Sequence, residues 1–151
     1  MSFIEELKAS LGEYWIPDIY AKRVRPKRTR AFSLNIPERA NSPEILHTLL
    51  GVELKVGKSR FACPDLATAR YLQVFARLGV RDVAVPYDIS QISSLADDIE
   101  TGWQRMNLIL TERTARERNA AVKAVRDAIR EEGPGDPMPT FDTPTRQRPR
   151  K

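Results

Sequence analysis

Two side chains in this 151-residue chain could carry nucleophilic or acid–base chemistry, Cys63 and His47, and each is the only member of its type. Such a pair forms a catalytic dyad when the two groups lie within hydrogen-bond distance. His47 falls inside a predicted helix beside Leu46 and Leu49, and Cys63 ends a predicted strand. Free cysteine commonly packs as a small hydrophobe, and two ligands are too few for a zinc site. We therefore expect neither catalysis nor zinc binding from this pair.

Acidic residues are the second candidate for chemistry. Asp97, Asp98 and Glu100 lie early in a predicted helix, where the helix dipole favours acids. A two-metal site needs carboxylates from several elements around one pocket, and the spacing of Asp82 and Asp88 does not require this. The sequence also lacks the Gly-x-Gly-x-x-Gly, Gly-x-Ser-x-Gly and His-Glu-x-x-His motifs that mark common cofactor and catalytic sites. We predict a protein that is not an enzyme and needs no metal or cofactor.

Positive charge is concentrated in two segments of a chain whose net charge is +5. Residues 31–132 hold 14 basic and 14 acidic side chains, so the excess lies outside this body. Arginine favours two-pronged phosphate contacts, and each contact with nucleic acid releases counterions. The alternatives are docking on an acidic protein surface and a solvated linker. The candidate binding residues are Lys22, Arg23, Arg25, Lys27, Arg28 and Arg30 in the first segment, and Arg146, Arg148, Arg150 and Lys151 in the second.

Two apolar patches are candidates for contact with a partner. One follows the N-terminal helix, and the other lies beyond a polar stretch, residues 111–120, of a long predicted helix. A helix that projects past a small domain leaves its patch exposed, and such patches bind a partner or a second copy of the chain. The alternative is that the two patches cover each other. The residues are Trp15, Ile16 and Ile19 in the first patch and Val122, Val125 and Ile129 in the second.

The elements that position these residues begin with an N-terminal amphipathic helix in residues 1–20, for which Ser2 is the expected N-cap. Residues 21–41 are predicted to be a basic extended linker. Like charges repel along residues 21–30, and Pro26 interrupts any helix there.

The predicted core spans residues 42–132. Ser42-Pro43-Glu44 is typical of a helix start, and that helix is predicted to end at Gly51. Alternating apolar residues predict a hairpin of strands 52–56 and 59–63. A second helix follows and is predicted to end at Gly79, and residues 80–85 form the next strand. Because a crossover helix joins parallel strands, we expect an α+β fold with a small mixed three-stranded sheet packed by helices.

A long C-terminal helix is predicted for residues 90–132. Its apolar stripe stops over residues 111–120 and resumes at Val122, but alanine, arginine and glutamate favour a continuous helix. The alternative is a break near Asn119. Residues 133–151, rich in proline and poor in large apolar residues, are predicted to be a disordered basic tail. The tail and the linker together form flexible basic arms.

These features predict a non-catalytic adaptor or assembly subunit that docks on a larger protein complex. The alternative is a nucleic-acid- or ribosome-associated protein that uses its basic arms on phosphates. Self-association through the C-terminal helix is a further alternative. A single cysteine favours the cytoplasm, and the absence of an apolar run of about 18 residues predicts no membrane span.

Overall fold

The computed structural model describes residues 2–134 and has an α+β architecture. The predicted class is confirmed, as are a three-stranded sheet and long helical structure toward the C-terminus. No helix within residues 2–134 is long and apolar enough to cross a membrane. The helices are α1 (Phe3–Leu11), α2 (Ile16–Ile19), α3 (Leu66–Leu78), α4 (Ile89–Leu110) and α5 (Ala115–Glu132), and the strands are β1 (Thr29–Ser33), β2 (Glu44–Thr48), β3 (Gly51–Val56), β4 (Ser59–Cys63) and β5 (Asp82–Pro86).

The N-terminal region folds onto the rest of the chain. Ser2 caps α1 through a reciprocal capping box with Glu5, as its sequence predicts. After α2 the chain continues as a π turn, Tyr20–Val24, whose first and last side chains are fully buried. The extended linker predicted for residues 21–41 is therefore wrong at residues 21–24, which belong to this turn, and at residues 29–33, which form β1. The burial of Tyr20 and Val24 offsets the repulsion between Lys22 and Arg23, the basic side chains that lie between them in the chain.

The three-stranded sheet is antiparallel with strand order β2-β3-β4. The predicted hairpin is confirmed as β3 and β4, joined by a turn in which Gly57 has a φ of 59°. The helix predicted from residue 42 is wrong, because residues 44–48 form β2 and pair with β3. Pairing with a neighbouring strand outweighs the local helix-start signal, as tertiary context commonly does.

The second sheet pairs β1 with β5 in antiparallel register. The predicted strand at 80–85 is confirmed as β5, but its parallel pairing with the hairpin is wrong. The other edge of β5 is closed by side chains instead of a strand. The backbone N–H of Ala84 donates to the Tyr20 hydroxyl over 2.9 Å, and the Tyr71 hydroxyl donates to the Ala84 carbonyl over 2.7 Å. Two tyrosines therefore take the place of a third strand.

The predicted continuous helix over residues 90–132 is wrong, because the chain breaks between α4 and α5. Thr114 caps α5 and forms a capping box with Glu117. The threonine and glutamate, three positions apart, match the sequence pattern of such a box. The break therefore precedes the alternative position near Asn119.

The break lets α5 pack into the core against α2. All six residues of the two predicted apolar patches are buried there. The patches cover each other within one chain, as the alternative interpretation states, so neither is exposed for a partner or for self-association. The residues concerned are Trp15, Ile16, Ile19, Val122, Val125 and Ile129.

The predicted disordered tail, residues 133–151, lies outside the described residues except for Gly133 and Pro134. The same holds for its candidate binding residues, Arg146, Arg148, Arg150 and Lys151.

Candidate functional site

The histidine and the cysteine do not meet. His47 lies opposite Val52 on the central strand, and Val52 lies opposite Cys63 on the far strand. Because neighbouring strands are about 4.8 Å apart, the two residues are separated by roughly 10 Å. His47 is exposed, whereas Cys63 is buried and its thiol donates to the Phe61 carbonyl over 3.6 Å. This geometry provides no cysteine–histidine dyad.

Burial raises the pKa of the Cys63 thiol from 9.0 to about 11. The thiolate is the form of cysteine that reacts with alkylating agents. At about pH 8 the fraction of Cys63 in the thiolate form is roughly 100-fold lower in the native protein than in the unfolded chain. We expect iodoacetamide to alkylate native Cys63 about that much more slowly, as measured by mass spectrometry with and without urea. Because the pKa of Cys63 is higher in the folded state than in the unfolded state, protonation of the thiol favours folding. Its contribution to the free energy of unfolding is complete below pH 9.0 and is lost as the pH rises toward about 11. Equal alkylation rates would contradict the burial of this thiol.

The acidic candidates are occupied by structural partners. Arg70 donates to Asp97 and Glu100, each over 2.6 Å, and so ties α3 to α4. Asp88 caps α4 by accepting from the backbone N–H of Ser90, and the pKa of Asp88 is held below its usual value first by the hydrogen bond from the Ser90 hydroxyl and then by this backbone bond. Asp82 accepts from Ser33 over 2.9 Å. No group of three or more His, Cys, Asp or Glu side chains within residues 2–134 could hold a metal ion.

Two members of the basic segment, defined as residues 22–30, are fixed to the body of the protein. Arg23 forms an ion pair with Asp98 on α4, with 2.6 Å between the charged groups. The Nε of Arg25 donates to the Glu132 carbonyl over 2.9 Å, at the C-terminal end of α5. Cations are favoured at that end of a helix. These two arginines therefore hold the π turn in place.

The two lysines of the basic segment face a pocket of about 310 Å³. Lys22 and Lys27 line it together with Arg23, and the opposite wall comes from the first turns of α4. Both lysines are exposed, and neither forms an ion pair with any residue in the described range 2–134. The α4 wall supplies Gln91, Ser94 and Leu95.

Beyond this pocket, arginine and aromatic side chains are layered on one another. The Arg28 guanidinium lies 4.9 Å from the ring centre of Tyr87. The Arg30 guanidinium lies 5.0 Å from the Phe32 ring and 6.0 Å from the Tyr87 ring. Arg28 is exposed, while Arg30 and both rings are half-buried. We call Lys22, Lys27, Arg28, Arg30, Phe32 and Tyr87 the basic–aromatic strip.

The turn between β2 and β3 carries a second surface, which we call the hairpin tip. It consists of Leu49 and Leu50, whose relative exposures are 106% and 97%. The hydroxyl of Thr48 accepts from the Leu50 N–H over 3.2 Å and donates to the Gly51 carbonyl over 3.0 Å. The turn is therefore held in a defined shape while both leucine side chains point into solvent.

Sequence reasoning missed the hairpin tip because it predicted a helix that ends at Gly51 and so includes both leucines. The spacing is that of a β-hairpin: two residues separate β2 from β3, and Val52, Leu54 and Val56 alternate with other residues along β3. Tyr87 was missed for a different reason. It reaches Arg28 only through the pairing of β1 with β5, in which the Tyr87 N–H donates to the Arg28 carbonyl.

Two further concavities are less distinctive. A groove of about 780 Å³ beside α1 is lined by Glu5, Glu13 and Asp18 as well as three basic residues, so its charge is balanced. A pocket of about 420 Å³ lies between the two sheets. Its three arginines already have partners, since Arg126 donates to the Leu78 carbonyl and both Arg81 and Arg130 pair with Glu38.

The described part of the chain thus presents two surfaces of distinct chemistry. The hairpin tip is apolar and protrudes from the three-stranded sheet. The basic–aromatic strip is cationic and runs from the π turn along β1. No protein-family model, curated protein sequence or solved structure matches the chain.

Proposed function

We propose that this protein is a non-catalytic adaptor or assembly subunit that docks on a larger protein complex through its hairpin tip. The observation that supports the proposal most strongly is the full exposure of Leu49 and Leu50 on a turn held by Thr48. The basic segment would contribute contacts with acidic side chains of the partner. A single cysteine, Cys63, needs no oxidising compartment, and we assign the protein to the cytoplasm on this ground.

The energetics favour a partner at the tip. Burying one exposed leucine side chain contributes about 1.5–3 kcal/mol, so two adjacent leucines offer several kcal/mol to a partner with a matching groove. Two-residue hairpin turns prefer asparagine and glycine, because their backbone conformation suits the turn. The leucines at 49 and 50 therefore serve neither turn formation nor the core. Binding is the role that their chemistry fits.

A protein groove suits this tip better than a lipid surface. Membrane-binding apolar residues are usually flanked by lysine and arginine, which are attracted to anionic lipids. The hairpin strands beside the tip carry Glu44 and Glu53, one lysine, Lys55, and one histidine, His47. The local charge thus disfavours an anionic membrane and is compatible with a protein partner.

The alternative function is binding to nucleic acid through the basic segment. The observation that favours it is the layering of Arg28 on Tyr87 beside a pocket that Lys22 and Lys27 line. This surface does not overlap with the hairpin tip, so the two functions are compatible with one molecule.

The test is affinity purification from the native cell with the wild-type chain and the variant L49S/L50S, followed by quantitative mass spectrometry. We expect at least one protein to be recovered with the wild type and lost with the variant. The control is L108S, which removes another exposed leucine, at 75% relative exposure on α4. Recovery of the same proteins by all three chains would contradict the proposal.

The tip substitutions should not damage the fold. Exposed positions away from special features usually change stability by about 0.5 kcal/mol or less. The variant L49N/L50G places the preferred asparagine–glycine pair in the turn, so we expect its melting temperature to equal or exceed that of the wild type. Thermal unfolding followed by circular dichroism measures this. A clear fall in melting temperature would show that the leucines support the fold, and the binding proposal would then lose its main argument.

A further inference from the structure

The pocket beside the π turn combines cationic and neutral donors. Lys22, Arg23 and Lys27 approach from one wall, and Gln91 and Ser94 approach from the other. Two acids are also near: Asp98 pairs with Arg23, and Asp88 caps α4 with its charge intact and lies close enough to Lys27 for the lysine to help lower the pKa of Asp88. The three cations that line the pocket therefore exceed these two carboxylates by one positive charge. A small group with negative charge and several acceptor oxygens fits these donors.

The neighbouring part of the strip offers flat surfaces. Arg28 is exposed, and its guanidinium carbon lies over the Tyr87 ring, 4.9 Å from the ring centre. Arginine planes and aromatic rings are the surfaces on which unpaired bases stack. Lys27 precedes Arg28 in the chain and lines the pocket, so the phosphate-type site and the stacking site are adjacent.

From this adjacency we propose that the basic–aromatic strip binds single-stranded nucleic acid, an inference that rests on the alternative function given above. One backbone phosphate occupies the pocket between Lys22 and Lys27, and an unpaired base stacks on Arg28, which Tyr87 supports from behind. A duplex fits less well, because its bases are stacked on one another and cannot reach the arginine. An acidic protein supplies carboxylates, which would pair with the lysines. It has no nucleobase that could stack on Arg28.

The first test measures the lysine contacts. The probe is a fluorescein-labelled oligothymidine of about 12 nucleotides, a length within the usual site size of single-strand binders. We expect binding that weakens with salt, and the variant K22Q/K27Q should flatten the slope of log affinity against log salt by roughly 0.7, the contribution of the one phosphate held between the two lysines. The matched control K58Q/R116Q removes two exposed charges from the β3–β4 turn and the first turn of α5 and should keep the wild-type slope.

The second test separates charge from planarity at Arg28. The variant R28K keeps the charge but loses the flat guanidinium. Since stacking of one base contributes about 1–3 kcal/mol, we expect R28K to weaken oligothymidine binding at least 5-fold while the salt slope stays that of the wild type. A lysine that binds as well as the arginine would overturn the stacking part of the proposal.

Other outcomes also decide the matter. No binding of the oligonucleotide at low salt, or equal slopes for K22Q/K27Q and K58Q/R116Q, would overturn the proposal. Polyglutamate that displaces the oligonucleotide from wild type and R28K equally well would assign the strip to an acidic protein instead. The tip variant L49S/L50S should bind the oligonucleotide like the wild type, so the failure of one surface is distinguishable from the failure of the other.

Discussion

Replacement of Gly79 by alanine is expected to destabilise the fold by about 2–5 kcal/mol, the sum of a left-handed backbone cost and overpacking. Gly79 ends α3 with a φ of 80°, which L-residues adopt at a cost. An added Cβ would also lie 2.5 Å from the Arg39 backbone nitrogen, and the Arg39 carbonyl oxygen is as close. Backbone atoms cannot move aside as a flexible side chain can, so the loop before β2 must shift. Urea unfolding measures the loss.

The matched control for this substitution is Gly57 in the β3–β4 turn. Its φ of 59° is also left-handed, but nothing lies within 4 Å of a Cβ added there. Gly57→Ala should therefore show the backbone cost alone, about 1–2 kcal/mol. If the two variants lose the same stability, the close packing of Arg39 against the end of α3 is contradicted.

Replacement of Tyr20 by phenylalanine is expected to cost about 1–3 kcal/mol, the usual effect of leaving a buried polar group without its partner. The Tyr20 hydroxyl donates to the Gly133 carbonyl over 2.6 Å and accepts from the Ala84 N–H over 2.9 Å. Burial raises the pKa of Tyr20, so the hydroxyl keeps its proton at neutral pH. Because Ala84 is fully buried, water cannot replace the lost acceptor. The variant should unfold at lower urea concentration with an unchanged slope.

A second tyrosine provides the comparison. Tyr14 is half-buried, and its hydroxyl forms no hydrogen bond with residues 2–134. Its replacement by phenylalanine should change stability by about 0.5 kcal/mol or less. Equal losses in the two variants would show that the hydroxyl of Tyr20 does not support the free edge of β5.

Helices and strands that depend on residues close together in the sequence were predicted correctly. The β3–β4 hairpin follows from alternation around Gly57, and α3 follows from Asp65 and Gly79, which cap its two ends in the structure. The strand at residues 82–86 follows from its continuous apolar run. In each case the hydrophobic period and the capping or turn residue agree with each other, and such agreement is what makes a local prediction reliable.

The errors arise where distant partners decide the outcome. Residues 44–48 carry a helix-start signal, yet β3 offers an edge with which they pair. Alanine, arginine and glutamate residues near position 115 favour a continuous helix, yet turning the chain at Thr114 buries Val125 and Ile129 against the N-terminal region. The free energy gained by burying this apolar face exceeds the small propensity differences that separate helix from turn.

The binding surfaces show the same division. The cations of residues 22–30 are evident from the sequence, but which of them are engaged depends on Asp98 and the end of α5. Tyr87 approaches Arg28 only because β1 and β5 pair. The hairpin tip required the strand at 44–48 to be recognised first. The amino-acid composition therefore indicated that one surface is basic, whereas the pairing of the strands determined which residues form the basic–aromatic strip and the hairpin tip.

Recovery of partner proteins from the native cell, with and without nuclease, distinguishes docking through the hairpin tip from recovery through nucleic acid. We expect proteins that bind the wild type and L108S, are lost with L49S/L50S, and survive nuclease treatment. Recovery that disappears with nuclease in every chain, or that is the same for L49S/L50S and the wild type, would contradict docking through the hairpin tip.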